Sequence, residues 1–158
     1  MDQLLGHLLA GFGSACGLDG LALDDRGLCR LVFDERYAID IAATDSTGEL
    51  TGFLLSSTVG RVGEDASPAL LRRFLSANLY VRSPNDGFVC LYPEREEAVL
   101  LCRHDCASMD ANRFETALMD FLKQAQAWSD FIARGGDPPG ASEEGGHDGL
   151  LSGGFVRA

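Results

Sequence analysis

The chain has no apolar run near the roughly 18 residues of a membrane-spanning helix, no excess of positive charge and no even-numbered cysteine framework. The first absence argues against a membrane span. The second is pronounced: 13 Lys and Arg face 24 Asp and Glu, a formal net charge of −11. Such a surface repels phosphate backbones and anionic headgroups, which sets nucleic acid and membrane partners aside. Five cysteines without framework spacing fit a reducing compartment better than secretion, most of them as buried thiols. Met1-Asp2-Gln3-Leu4-Leu5 puts no basic stretch ahead of its short apolar segment, unlike a secretory signal. A cytoplasmic protein is expected.

Catalytic and cofactor motifs are missing too. No Gly-x-Ser-x-Gly elbow occurs, so nothing suggests a serine nucleophile. Gly11-Phe12-Gly13-Ser14-Ala15-Cys16-Gly17 ends a helical pattern, whereas a dinucleotide loop must follow a strand. Gly60-Arg61-Val62-Gly63 lacks the Gly-Lys-Ser/Thr of a phosphate cradle. The acidic pairs Asp24-Asp25 and Asp34-Glu35, and the acidic stretch 94–97, fall in turns, where solvated charge costs least. The densest set of potential ligands is Cys102-Arg103-His104-Asp105-Cys106, with Cys90 on a neighbouring strand. On a strand, positions 102, 104 and 106 share a face, but no second Cys/His pair completes a tetrahedral zinc site. Three residues, not the two of a redox motif, separate Cys102 from Cys106. A thiol or zinc protein using Cys102, His104 and Cys106 is therefore the weaker alternative to buried thiols beside a surface histidine. No catalytic residue, metal or cofactor is expected.

What the chain does have is the apolar content of one domain: 158 residues with 46% apolar side chains. At this length folding buries roughly 68–70% of the unfolded surface, so neither disulfides nor a metal is required. Leu4, Leu5, Leu8, Leu9 and Phe12 recur at helical spacing, with Gly13 and Gly17 marking the end. Segments 29–33, 37–41 and 50–59 alternate as strands, the last after the turn Ser46-Thr47-Gly48. Ser67-Pro68 opens a second helix through Leu70, Leu71, Phe74, Leu75 and Asn78, the serine capping and the proline losing no bond at the first turn. Segments 88–92 and 98–102 then read as two strands after the turn cluster Ser83-Pro84-Asn85-Asp86-Gly87. Asp110 caps a last helix along Phe114, Leu118, Phe121, Ala125, Trp128 and Ile132. The expected fold is α+β, a five-stranded antiparallel sheet with three helices in the order α-β-β-β-α-β-β-α. It occupies residues 1–134, followed by a mobile Gly/Pro/acidic tail, 135–158, in which Leu150-Leu151 and Phe155-Val156 stand out as a short docking motif or as incidental apolar residues.

The stretch Gly27-Leu28-Cys29-Arg30-Leu31-Val32-Phe33-Asp34-Glu35-Arg36-Tyr37, the segment Leu75-Ser76-Ala77-Asn78-Leu79-Tyr80 and the hairpin strand Gly87-Phe88-Val89-Cys90-Leu91-Tyr92 resemble the class I type III secretion chaperones, the Tir-chaperone type in particular. The likeness covers residues 3–134 and includes the element order, the acidity and the long last helix. It implies a bacterial cytoplasmic homodimer that binds the non-globular N-terminal region of secreted effectors and keeps them soluble and secretion-competent without catalysis. A regulatory module that binds an anti-activator partner is the alternative, and the secretion ATPase is a further candidate partner. The candidate effector-binding wall is Leu4, Leu5, Leu8 and Phe12 of the first helix with Leu31, Val32 and Phe33 of the first strand. Each of these positions suits ordinary core equally well. By the same resemblance the dimer interface is Leu71, Leu75, Asn78 and Leu79 of the middle helix with Phe88, Cys90 and Tyr92 of the following strand. Asn78 suits an intramonomer helix cap as well.

Overall fold

The computed structural model describes residues 3–18, 20–46, 49–79, 81 and 85–136. Its elements are α1 (Gln3–Cys16), β1 (Leu28–Phe33), β2 (Tyr37–Ser46), β3 (Glu49–Arg61), α2 (Pro68–Leu79), β4 (Phe88–Tyr92), β5 (Glu97–Asp105) and α3 (Ala111–Ala133). This is the expected order of three helices and five strands. The turn positions 47–48 and 82–84 and the stretch 137–158, with Leu150-Leu151 and Phe155-Val156, lie outside the described residues.

Local chemistry sets the boundaries. Ser67 Oγ accepts from the Leu70 N–H (3.2 Å) and Pro68 takes the first helical position of α2. Asp110 accepts from the Arg113 N–H at 2.8 Å and starts α3. Between β1 and β2, Asp34 and Glu35 both adopt positive φ (51° and 54°), and the Arg36 N–H donates to the Phe33 carbonyl. That is the primed turn whose twist suits a two-residue hairpin.

All five strands pair antiparallel in the order β1-β2-β3-β5-β4, so β1 and β4 are the edges. One face of the sheet is sealed: Cys29, Leu31, Ile39, Ile41, Phe53, Leu55, Ser57, Val59, Val89, Ala98, Leu100, Cys102 and His104 are buried. Against it lie α1, through Leu5, Leu8, Leu9 and Phe12, and α3, through Phe114, Leu118, Phe121, Leu122, Ala125, Trp128 and Phe131. Phe12, Phe114 and Phe53 link the layers, Phe12 meeting Phe114 edge to face at 6.0 Å between ring centroids and Phe114 meeting Phe53 at a tilt, 5.4 Å apart. On the opposite face Arg30, Val32, Thr58, Phe88, Cys90, Tyr92 and Arg103 are exposed. The buried stripe of α3 ends on Phe131, three residues past Trp128, while Ile132 is half-buried. Ile132 still packs where Gly60 lies; a Cβ there would come within 2.7 Å of it.

The second edge is fastened from the side. Gln124 of α3 accepts from the Gly87 N–H (2.9 Å) and donates to the Asn85 carbonyl (2.8 Å). Asn78 of α2 then accepts from the Val89 N–H and donates to the Val89 carbonyl, each at 2.9 Å. The asparagine amide thus behaves as one more strand residue beside β4. Asn78→Ala should destabilise the protein by about 1–3 kcal/mol, because it leaves a buried residue's N–H and carbonyl without partners. Urea unfolding measures this, and an unchanged midpoint would refute the clamp.

Candidate functional site

Where a helix and an edge strand meet, apolar side chains face solvent. Of the nine large apolar side chains exposed among the described residues, five lie on α2 or β4: Leu75 (72%), Leu79 (75%), Phe88 (46%), Leu91 (44%) and Tyr92 (46%). Cys90 is exposed among them, and Leu71 is half-buried. Because strand side chains alternate, Phe88, Cys90 and Tyr92 project from the open face and Leu91 from the face that buries Val89. The patch therefore wraps around the β4 edge. The expected interface residues Leu71, Leu75, Leu79, Phe88, Cys90 and Tyr92 all fall in this region. Asn78 stands beside them with its side chain tied to Val89, and it does not cap its own helix. Leu91 was missing from the sequence expectation. Its signal is the unbroken apolar run Phe-Val-Cys-Leu-Tyr, which leaves both faces of a short edge strand apolar.

The expected effector wall divides. Leu5, Leu8, Phe12 and Leu31 are between 0% and 6% exposed and belong to the core of the subunit. They sit on the side of α1 and β1 that faces α3 and the sealed sheet face. Leu4 (42%) and Val32 (59%) face solvent, and Phe33 is half-buried against the core. Val32 lies beyond the bidentate Arg30–Asp40 pair, 2.5 and 2.7 Å, on the open face of β1.

The Cys102–His104 neighbourhood departs from the sequence reading. The histidine is only 4% exposed rather than a surface residue. Strand β5 ends at Asp105, so Cys106 starts a short 3-10 turn and only positions 102 and 104 share the strand face. The His104 ring stacks on Phe53 (5.1 Å between centroids), and its Nε2 lies 3.3 Å from Cys102 Sγ. Gly52 permits this placement: a Cβ there would come within 2.2 Å of the His104 carbonyl oxygen. Burial pushes the Cys102 thiol up to about 11 and the His104 imidazole below its ordinary value, so both are neutral at physiological pH. A thiol so disposed is a poor nucleophile. Cys29 and Cys106 are buried as well, with burial raising both thiols. Among the described residues no group of three His, Cys, Asp or Glu side chains is placed to hold a metal ion. An open depression of about 660 Å³ beside His104 is lined mainly by polar side chains, among them Asn85, Arg103, Asp105 and Arg113. Among the described residues no helix is long and apolar enough to cross a membrane.

With this geometry in hand, comparison with known proteins gives a family model described as the Tir chaperone protein (CesT) family, matching residues 7–129. A chain of the ExsC–ExsE complex is similar at 24% identity and a TM-score of 0.70, covering 84% of this chain and 96% of that one. A chain of the HopA1–SchA chaperone–effector complex is similar at 14% identity and a TM-score of 0.67, covering 82% and 95%. The structure of the Yersinia pestis type III secretion chaperone SycH with a stable fragment of YscM2 is similar at 14% identity and a TM-score of 0.63, covering 76% and 95%. At these identities the likeness is one of fold. A search of curated proteins gives no match.

His104 makes stability depend on pH with a definite sign. Its folded-state value lies below the roughly 6.5 of an unfolded histidine, so the unfolded chain binds the proton first as pH falls. The contribution is complete above about pH 6.5 and is lost as pH falls from there through the lowered folded value. Urea midpoints between pH 7.5 and about 5.5 should decline in the unmodified protein and decline less in His104→Phe, which retains the stack on Phe53. Parallel curves would refute the assignment.

Proposed function

We infer what this chain does from one premise: it belongs to the Tir chaperone protein (CesT) family. The proposed function is that of a cytoplasmic, non-catalytic homodimer that holds the non-globular N-terminal segment of a type III secreted effector and keeps it soluble and competent for export. The observation that carries the reading is where apolar side chains remain exposed. They concentrate at the edges of a sheet whose other face is sealed, one group around β4 and another residue, Val32, on β1. The HopA1–SchA chaperone–effector complex shares the fold, which supports a polypeptide as the ligand.

The two edges take different partners under this reading. A second copy covers the α2–β4 patch, since a twofold axis lets the same surface serve both subunits. Leu75, Leu79, Phe88, Leu91 and Tyr92 supply an apolar centre of the kind that dimer interfaces favour. The effector adds along β1, bonding its main chain to the free edge and setting its apolar side chains against Val32, Phe33 and Leu4. Burying about 1,000 Å² of apolar surface at ~25 cal/mol/Å² corresponds to a gross gain of about 25 kcal/mol, much of it offset by ordering the segment. Leu5, Leu8, Phe12 and Leu31 act beneath that surface, as the core that holds it in place. The acidic net charge keeps a carrier with so much exposed apolar surface soluble.

Two outcomes test the assignment. Light scattering at micromolar concentration should give twice the 16.9 kDa chain mass, and the double variant Leu75→Asp, Leu79→Asp should give a single chain mass with an unchanged circular dichroism spectrum. A monomeric unmodified protein would overturn the proposed dimer.

Copurification from the native cytosol should bring down a secreted protein through its N-terminal segment. Leu4→Asp with Val32→Asp should weaken that retention at least about tenfold, or ~1.4 kcal/mol, with the fold intact. Leu8→Asp should instead unfold the subunit, because it places a charge in the core. Undiminished retention in the Leu4/Val32 variant would move the effector surface elsewhere, and recovery of only a folded regulator would favour the regulatory alternative.

A further inference from the structure

Strand β5 is longer than the neighbour that covers its outer side. It runs to Asp105, whereas β4 pairs with it only from Glu97 to Leu101. The Asn78 clamp fixes which main-chain groups are left over. Because Val89 turns its N–H and carbonyl outward to Asn78, Phe88 and Cys90 turn theirs inward, to Leu101 and Val99. Bonding direction alternates along a strand, so Arg103 points its N–H and carbonyl to the same side as Leu101, two residues past the last pair. No strand among the described residues meets them there. The chain that would continue β4 is drawn towards α3 instead: Gln124 holds Asn85 and Gly87, and the Asn85 side-chain amide donates to Asp120 at 3.2 Å.

The result is a notch in the sheet rim, the open depression of about 660 Å³ whose walls include Asn85, Arg103, His104, Ser108 and Arg113. Positions 102–105 run about 10 Å, room for roughly three or four residues of an extended neighbour. The charge here is unlike that of the chain as a whole. Arg103 is exposed and makes no ion pair with any described residue, and Arg113, in the first turn of α3, lines the same depression. The carboxylates beside it are already engaged by the main chain. Asp105 accepts from the Ala107 N–H (2.9 Å), and Asp110 accepts from the Arg113 N–H and lies 3.8 Å from the Arg113 guanidinium. In a chain of net charge −11, the Arg103 guanidinium thus stands without a counter-ion beside an open stretch of sheet edge.

We propose that this notch takes a short extended stretch of the cargo polypeptide, which pairs with the Arg103 main chain in place of β4 and carries Asp or Glu opposite the Arg103 side chain. Residues facing each other across an antiparallel pair have Cβ atoms about 4.5–5.5 Å apart, close enough for opposite charges to attract and like charges to repel. Main-chain bonds then give the contact its strength, and the carboxylate gives it a choice of sequence. The notch adds a preference that apolar contacts at β1 do not supply. That the bound polypeptide is cargo rests on the preceding reading. The preference for a carboxylate-bearing strand does not, and the test below uses a synthetic peptide, so one can fail without the other.

The probe is the capped peptide acetyl-Thr-Val-Thr-Glu-Thr-Val-Thr-amide, with counterparts carrying Gln or Lys at the central position, added to the full chain. In the protein alone, residue-resolved hydrogen exchange should find the Arg103 amide at least roughly tenfold less protected than those of Leu101 and His104, which have strand partners. The Glu peptide at about millimolar concentration should slow exchange at Arg103 and shift the 101–105 amide resonances. It should bind at least about threefold more tightly than the Gln peptide, and Arg103→Gln should abolish that difference with an unchanged circular dichroism spectrum. Equal affinities for the Glu and Gln peptides in the unmodified protein would overturn the proposal, as would tighter binding of the Lys peptide. A Glu preference that survives Arg103→Gln, or resonance shifts absent from 101–105, would overturn it too. So would an Arg103 amide that is protected in the protein alone and loses protection on tenfold dilution, since that marks a second copy in the notch.

Discussion

A strand at the rim of a sheet has main-chain donors and acceptors on one side that no neighbouring strand satisfies, and the organisation of this protein follows from how its two rims are treated. At β4 the Asn78 amide satisfies Val89 from outside, while Gln124 holds the approach through Gly87 and Asn85. At β1 the tight turn at Asp34 and Glu35 and the Arg36–Asp130 pair hold the end of the strand. Its outer edge has no neighbouring strand among the described residues. Helices seal one face of the sheet, so the exposed apolar side chains collect around these rims and on the outer sides of the helices.

The aromatic column from Phe12 through Phe114 to Phe53, continued by the stacked His104, gives the sheet a rigid back. Close packing there gives this end of the sheet a support that does not yield. A support of this kind suits recognition of an extended segment, whose own ordering already consumes much of the interaction energy.

Much of the fold was legible in the sequence because its signals are local. The three-and-four spacing along α3, the Ser67-Pro68 start, the Asp110 cap and the alternation in β1, β2 and β5 each depend on neighbouring residues only. The less legible features depend on partners far away in sequence. Helical period showed that Leu4, Leu5, Leu8 and Phe12 share a broad apolar side, but not that α3 would cover all of them except Leu4. Alternation separated Leu31 from Val32 without saying which side would meet the helices. His104 reads as a strand-end histidine until Phe53 from another strand is placed over it. Asn78 bonds a strand eleven residues on, and no propensity encodes that. The middle helix and β4 stood out through family likeness, and their outward leucines and aromatics do lie together.

The Asn78 clamp also bears on aggregation. By occupying the outward hydrogen-bonding site of β4 at Val89 with a side chain, it interrupts the template that a foreign backbone would need for in-register growth. A backbone that approached this rim would meet leucines and aromatic rings but could not fuse its sheet to this one in an endless ribbon.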